Sequence, residues 1–234
     1  MYNICVLNSY IQYSEIYGMS EKKENRGDAT RMSIINAAGS LFAEQGFAAT
    51  TIRDICARAD VNNAAVNYHF RDKENLFAEV VRYGFRAAHE KYPPDYNFEN
   101  TERAEERLRQ FIWNMLVRRY DKSLPSWFPH LMSRNMQFAH SHKQEVLKGH
   151  KEKVRGVISG ILSEMVTGRG KQKEQRIRIA ESGVIGTILF FLHPGRHEQN
   201  ERLPLFETGQ EFERFIDSVY NYSRAGIQAL NREE

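Results

Sequence analysis

The sequence predicts an all-α fold, in which an N-terminal three-helix domain with a helix-turn-helix precedes a larger helical domain. Apolar residues recur at the 3.6-residue period of an amphipathic helix along most of the chain. Many of these segments follow a polar capping residue or end at a glycine or proline. No stretch carries a convincing strand signal, and neither an internal repeat nor a low-complexity tract is found.

The composition is that of a globular protein, with 234 residues, 41% of them hydrophobic and 27% charged. The longest apolar run, residues 184–192, is interrupted by Gly186 and Thr187. It falls well short of the roughly 20 residues of a membrane helix, so no membrane partner is predicted. The net charge of +3 permits an anionic partner without requiring one.

The N-terminal segment has no basic residue before Lys22 and no small-residue cleavage pattern, which makes it a poor secretory signal. We expect residues 1–27 to form a disordered or loosely ordered extension. Cys5 and Cys56 are the two cysteines, too few for a disulfide framework. This usage favours a reducing cytoplasm.

Four helices are predicted in the N-terminal part. The first covers Thr30 to Gln45, with Asp28 as its N-cap, Gly46 as its stop, and an apolar stripe at Ile34, Ile35, Ala38, Leu41 and Phe42. The second runs from Ile52 to Ala59 after Thr50 or Thr51. The third runs from Asn63 to Phe70 after Asn62, and the fourth follows Asp72 to about Lys91.

Pro93 and Pro94 end the fourth helix and open a linker, "PPDYNFEN". Further helices are predicted at about 101–120, in a shorter piece after Pro125, and at 143–166, 176–192 and 210–231. The segments "TGRGKQKEQ" and "HPGRHEQNERLP" are predicted loops. We therefore divide the chain into a helix-turn-helix domain, residues 28–75, and a helical domain, residues 76–234.

The third helix can present one face to a DNA groove. At about 100° per residue, Val66 and Phe70 fall on one side, where they can pack against the first two helices. Alanine can touch a thymine methyl group and asparagine can pair with an adenine edge. Tyrosine and histidine suit phosphates, as do residues at helix starts. The predicted DNA contacts are Thr51, Asn62, Asn63, Ala64, Ala65, Asn67, Tyr68, His69 and Lys73. By spacing alone, an ordinary αα-hairpin fits equally well.

A family resemblance adds to this pattern. The segments "IINAAGSLFAEQGFAATTIRDICARADV" and "NYHFRDKENL" resemble the DNA-binding domain of the TetR family of bacterial regulators between Arg31 and Leu76. The family usually has glycine where Asp60 stands, and aspartate tolerates the left-handed backbone of a turn better than most residues. It commonly has tyrosine where Asn67 stands, which favours Asn67 as a base-reading residue. The segments "AAVNYHF" and "RIAESGVIGTILFFLHPG" resemble the CecR-like branch.

The resemblance implies a homodimer held by the last two helices. Small and apolar residues in both helices agree with it, and the predicted interface consists of Ile179, Gly183, Gly186, Phe190, Phe215, Val219, Gly226 and Ile227. The alternative is that these helices form only the core of one chain.

Aromatic and methionine residues in the middle helices can line an adaptable ligand cavity. The predicted effector pocket contains Trp113, Met115, Phe128, Met132 and Met136, although such residues also form ordinary cores. His140 and His142 stand in an H-x-H pattern whose rings point to different sides of a helix, so no metal site is predicted. No cofactor is predicted either.

The sequence shows no phosphate-binding glycine loop and no nucleophile elbow, so no enzymatic activity is predicted. We expect a ligand-responsive transcriptional repressor that binds a palindromic operator in double-stranded DNA as a homodimer, with an unknown small-molecule effector. The alternative is a helical adaptor that binds another protein without specific DNA binding. An enzyme would need a Ser-His or carboxylate pair that only folding brings together.

Overall fold

The computed structural model describes residues 26–121, 123–134, 141–192, 206 and 208–232. Apart from one short 3₁₀ helix, Phe98–Asn100, the regular elements in these ranges are α-helices, which confirms the all-α prediction. They are α1 Arg26–Ala49, α2 Ile52–Ala59, α3 Asn63–Phe70, α4 Lys73–Lys91, α5 Ala104–Tyr120, α6 Trp127–Arg134, α7 Ser141–Met165, α8 Gly170–Leu192 and α9 Gly209–Arg232. None of these helices is long and apolar enough to cross a membrane.

Two helices begin four or more residues earlier than the sequence predicts. Helix α1 starts at Arg26, so Asp28 lies in its first turn and does not cap it, and the last two residues of the predicted extension are helical. Helix α8 starts at Gly170, six residues before the predicted start at Arg176. Its first turns carry polar residues on all sides, and a helix without an apolar stripe gives no periodic signal. Residues 1–25 of the predicted extension and the whole predicted loop at 193–204 lie outside the described residues.

The turn between α2 and α3 has the geometry that the sequence requires. Asp60 adopts the left-handed conformation, with φ 53° and ψ 49°, and its backbone N–H donates to the Cys56 carbonyl oxygen. Val61 N–H donates to the same oxygen at 3.1 Å. Aspartate can therefore replace the usual glycine at this position. Gly46 likewise has a positive φ of 84° and interrupts α1 where a stop was predicted.

Apolar side chains form two cores. The first core is formed by the four helices α1, α2, α3 and α4 and includes Ile34, Phe42, Val66 and Leu76. The second core is formed by α5, α7, α8 and α9 and includes Leu108, Ile158 and Val184. Helix α6 belongs to the first core through Trp127 and Leu131, although it lies far along the chain. It packs against α1, and its rings contact those of α4, Trp127 with Tyr83 and Phe128 with Phe85. The two parts of the molecule are joined by the packing of α4 on α7.

Two glycines allow α6 to approach this closely. A Cβ atom on Gly39 of α1 would lie 2.5 Å from the Trp127 ring, and one on Gly84 of α4 would lie 2.1 Å from the Phe128 ring. Neither distance is compatible with van der Waals contact, so α6 can occupy its position only beside residues without a side chain.

Candidate nucleic-acid interface and effector cavity

Helix α3 turns one face inward and leaves the other in solvent. Val66 and Phe70 are buried, and they join Ile34, Phe42, Ile55 and Ala59 in the first core. This confirms the predicted packing. Asn63, Ala64, Asn67 and Tyr68 lie on the exposed side, and Tyr68 is 85% exposed, an unusual state for a tyrosine.

The exposed side chains differ in how much hydrogen-bonding capacity remains free. Asn62 caps α3, because its carboxamide oxygen accepts the Ala65 N–H at 2.9 Å. The Asn63 oxygen accepts a weak contact from the Cys56 thiol at 3.8 Å. The Asn67 carboxamide has no partner among the residues that the structure describes. It is therefore the amide with all its donors and acceptors available to a base edge.

Two flanking positions have only part of their surface free. Ala65 is half-buried against the first core. The His69 ring is also half-buried and makes an edge contact with the Tyr68 ring, with centroids 5.1 Å apart. Ala64, Asn67 and Tyr68 thus present the freest contact surface on α3.

Thr51 begins α2 in a capping box. Its hydroxyl oxygen accepts the Asp54 N–H at 3.2 Å, and the Asp54 carboxylate accepts the Thr51 N–H at 3.0 Å. Hydrogen bonds from the Thr51 hydroxyl and backbone N–H lower the pKa of Asp54. The start of α2 is thus partly occupied by its own carboxylate, which the sequence prediction of a phosphate contact at Thr51 did not consider.

Lys73 was predicted to contact phosphate, and in the structure it forms hydrogen bonds within the chain. Its ammonium group donates to the Phe47 and Thr50 carbonyl oxygens, each at 3.0 Å. It also lies 4.4 Å from the centroid of the Phe47 ring. Two of its three donors therefore tie α4 to the connection between α1 and α2, which leaves one donor for the predicted phosphate contact. That contact stays a prediction.

A polar cleft beside α3 adds basic residues that the sequence analysis missed. The cleft has a volume of about 500 Å³ and includes Tyr68, His69, Arg31, Arg71 and Arg82 in its lining. Arg31 and Arg82 both pair with Glu79, and Arg71 is exposed. Three arginines against one carboxylate give the cleft a net positive charge, which suits a phosphate backbone. Arg71 was visible in the sequence, directly after α3, whereas Arg31 and Arg82 become neighbours only through folding.

A cavity of about 950 Å³ lies between α4, α5, α6, α7 and α8. Three of the predicted pocket residues, Met115, Phe128 and Met132, line it. Trp113 does not, because it stands two residues, or about 200° around the helix, from Met115. Its indole N–H donates to the Glu213 carboxylate at 2.9 Å, and its ring packs against Tyr92 and Phe212. Met136 lies outside the described residues.

One side of the cavity is polar. Arg118 and His150 line it beside the apolar residues, and the sequence analysis assigned no role to either. His150 stacks on Phe85 at 3.9 Å between ring centroids and lies 4.7 Å from His89. Desolvation, together with positive charges that include Arg118, lowers the pKa of His150 to about 3 and that of His89 to about 4. Both imidazoles are therefore neutral at physiological pH.

The predicted dimer residues divide into two groups. Ile179, Gly183, Gly186 and Phe190 of α8 and Gly226 of α9 are exposed. Val219 and Ile227 are only 5% and 2% exposed, and they belong to the second core of the same chain. Phe215 is half-buried among the rings of Phe191 and Phe206. The prediction that Val219 and Ile227 form the interface is corrected, because α5 and α8 already cover that stripe of α9. The interface role of Phe215 stays a prediction.

No group of three or more metal-ligating side chains occurs within the described ranges. The side chains of the H-x-H pair, His140 and His142, lie outside the described part of the structure.

Comparisons with known sequences match both parts of the chain. Residues 34–80 match the family model for bacterial regulatory proteins of the tetR family. Residues 104–229 match the C-terminal domain of the HTH-type transcriptional dual regulator CecR. The HTH-type transcriptional repressor NicS of Pseudomonas putida is 27% identical over 179 residues, which cover 75% of this chain and 81% of NicS. The HTH-type transcriptional regulator AcrR of Shigella flexneri is 36% identical over 62 residues, 26% of this chain and 29% of AcrR.

The fold is also found among solved structures. The transcriptional regulator FadR from Bacillus subtilis, in complex with stearoyl-CoA, superposes with a TM-score of 0.61 at 18% identity, covering 84% of this chain and 98% of FadR. At this identity the likeness is one of fold.

Proposed function

We propose that this chain, which belongs to the TetR family of bacterial regulators and has a CecR-type C-terminal domain, is a ligand-responsive repressor acting as a homodimer on a palindromic operator. It is a DNA-binding transcriptional regulator by family. The rest of the proposal concerns how it binds DNA, assembles and responds to a ligand. We assign residues 28–75 to DNA binding and residues 76–234 to effector binding and dimerisation, and we place the protein in the cytoplasm with its DNA.

The observation that carries the proposal is the exposed face of α3. Ala64, Asn67 and Tyr68 project from a helix whose opposite side is fixed by Val66 and Phe70, so the contact surface is held by a rigid core. A helix held in this way fits the major groove, and the free Asn67 amide can pair with an adenine edge. The adjoining arginine cleft supports phosphate contacts at the edge of the groove.

A homodimer is supported by an apolar surface on α8 and α9. Of the five large hydrophobic residues that are exposed in the described part of the chain, four lie on these helices: Ile179, Leu189, Phe190 and Tyr222. Nothing lies within 4 Å of a Cβ built on Gly183, Gly186 or Gly226, so a second helix could approach closely there. An apolar surface with small residues among aromatic ones is typical of a protein interface.

A ligand response is supported by the cavity and its position. Phe128 and Met132 line the cavity and also pack against the first core, so α6 contacts both the ligand space and the helix-turn-helix domain. A ligand that shifts α6 would change how that domain is held. FadR, which shares the fold, holds stearoyl-CoA, so the fold can accommodate a ligand with a long apolar chain.

Footprinting on the DNA upstream of the chain's own gene tests the proposal. We expect protection of an inverted repeat whose half-sites lie about 34–36 Å apart, or a multiple of that distance. Protection of an asymmetric site would contradict the dimer on a palindrome. A stable complex with another protein, with no specific DNA binding, would favour the adaptor alternative.

The Asn67→Ala variant tests the role of α3 directly. We expect a loss of roughly 1–3 kcal/mol in binding to the preferred operator and relaxed preference at one position of each half-site. Quantitative binding to operators with single base changes measures both effects. Ser163→Ala, on the exposed side of α7, is the matched control and should bind every operator as the parent does. A uniform loss on all operators would assign Asn67 to the phosphate backbone.

A further inference from the structure

The cavity contains a positive charge that no negatively charged side chain of the described residues pairs with. Arg118 is half-buried on α5, and one of its terminal nitrogens donates to the Tyr92 carbonyl oxygen at 2.5 Å. Its Nε is buried and has no hydrogen-bond partner in the described part of the chain. No carboxylate of the described residues lies within ion-pair distance of it. Burial lowers the pKa of Arg118 to about 10, which still leaves the guanidinium protonated at neutral pH.

The acidic residues that line the cavity are already paired with other cations. Glu181 forms an ion pair with Arg155, and Glu152 lies 3.9 Å from Lys148. Neither is bonded to Arg118. An unpaired charge away from water is costly, and it normally has a counter-ion or is neutralised. Arginine stays charged, so the missing negative group is one that the described residues do not supply.

A second observation points to the same side of the cavity. Among the residues that the structure describes, the buried Nδ1 atom of His150 has no hydrogen-bond partner, and neither has the Nε2 atom of the neighbouring His89. Arg118 is close enough to both rings to lower their pKa values. Three unsatisfied nitrogens therefore cluster beside the cavity, whereas native interiors leave few buried polar groups unpaired.

The remaining walls are suited to an apolar body. Met115, Phe128, Met132, Ile185 and Leu192 line the cavity on the helices around Arg118. Methionine and aromatic side chains adapt to irregular apolar shapes. The volume of about 950 Å³ is that of a site for a drug-sized molecule.

We propose that the effector is an amphiphilic monoanion whose carboxylate binds Arg118, beside His150, while its apolar body fills the space between α4, α6 and α8. This inference rests on the proposed function and names the chemical class of the ligand. The guanidinium can donate two parallel hydrogen bonds to a carboxylate, a geometry that an alcohol or an amine cannot reproduce. Since both histidines are neutral, Arg118 provides the charge.

Isothermal titration with two matched pairs of probes tests the class: decanoate against 1-decanol, and 2-naphthoate against 2-naphthalenemethanol. Each pair shares its apolar body and differs in the head group, and the two pairs distinguish an aliphatic from an aromatic body. We expect at least one acid to bind about tenfold to a hundredfold more tightly than its alcohol. Equal affinity of acid and alcohol in both pairs, or no binding of any of the four, overturns the proposal.

Two variants assign the preference to Arg118. Arg118→Met should abolish the preference of acid over alcohol, and Arg118→Lys should retain part of it, because lysine keeps the charge but loses the two-pronged geometry. Lys151→Met is the matched control: it removes an exposed cation that also lines the cavity, and the preference should survive. A preference that persists in Arg118→Met places the head group elsewhere. If Arg118→Met does not fold, Arg118→Lys and the probe pairs on the parent protein still decide.

Operator binding measured on the same preparations separates the carboxylate site at Arg118 from the proposed function as a DNA-binding regulator. Specific DNA binding that is released only by neutral compounds overturns the carboxylate site and leaves the regulator intact. Binding of the acids to Arg118 without any specific DNA binding refutes the proposed function and keeps the site.

Discussion

The ammonium group of Lys73 illustrates how a side chain can face inward at a position that suggests a DNA contact. It bridges two carbonyl oxygens at the end of α1 and lies over the Phe47 ring. We expect Lys73→Met to lower the free energy of unfolding by roughly 1.5–3 kcal/mol, the range for hydrogen bonds to charged groups. Urea denaturation measures this, with Lys171→Met in the first turn of α8 as an exposed control. Unchanged stability of Lys73→Met, combined with weaker binding to all DNA, would show that Lys73 contacts phosphate instead.

His89 and His150 make the stability of the fold dependent on pH. In the unfolded chain both rings have a pKa near 6.5, and in the folded chain the values are about 4 and about 3. Between these values the unfolded state binds more protons, so stability falls as the pH decreases from about 6.5 towards 4. Since both rings are only partly shielded from solvent, we expect the two together to account for about 1–3 kcal/mol of this loss.

Replacing both histidines separates their contribution to the pH dependence of stability from that of the carboxylates. The double variant His89→Gln, His150→Gln should show a shallower decline of unfolding free energy between about pH 7 and 4 than the parent. Ser163→Ala changes no ionisable group and should leave the slope unchanged. A parallel decline in the parent and in the double variant would show that these rings titrate normally.

At the scale of elements, α6 lies between the cavity and the first core. Trp127 and Leu131 are part of the first core, while Phe128 and Met132 face the cavity. Helix α6 packs on α4 at Gly84 and on α1 at Gly39.

Gly84→Ala tests this packing. The new methyl group would lie 2.1 Å from the Phe128 ring, so the ring or α6 must move. Overpacking of this kind costs roughly 1–3 kcal/mol, which exceeds the gain of up to about 1 kcal/mol in helix propensity. Thermal denaturation should therefore show a lower Tm, and adding Phe128→Leu should recover part of the loss.

Gly160→Ala is the control for Gly84→Ala, because no atom of the described residues outside its own helix backbone lies within 4 Å of a Cβ built at Gly160. It lies on α7 and should raise stability by about 0.5–1 kcal/mol. A Gly84→Ala variant that is as stable as Gly160→Ala would mean that α6 is not held tightly at this contact.

At the scale of the whole molecule, the proposed dimer interface is the exposed face of α8 and α9. We expect Ile179→Glu to give monomers in sedimentation velocity and to weaken operator binding, because the two half-sites would then be bound independently. Ser163→Glu, on the exposed side of α7, adds the same charge away from this face and should leave the dimer intact. Ile227→Asp should instead unfold the chain, because Ile227 is 2% exposed within its own core. An unchanged mass for Ile179→Glu would place the interface elsewhere.

The sequence by itself determined the elements and the orientation of α3. Periodic apolar positions, the caps at Asn62 and Asp72, and the breaks at Gly46 and Asp60 are local signals, and each agrees with the helix or turn that is found. The side of α3 that faces inward followed from the helical spacing of its residues, since a short helix with two apolar residues on one side can bury only that side.

Only the tertiary structure decided which surfaces are free. Val219 and Ile227 have the same apolar character as Ile179 and Phe190, yet the first pair is covered within the chain and the second is exposed. Trp113 and Met115 are neighbours in sequence but face different helices. The arginine cleft, the internal bonds of Lys73 and the unpaired charge of Arg118 all depend on contacts between segments far apart in the chain. A periodic pattern shows that a side will be buried, but the partner that buries it is chosen by the packing of all the helices together.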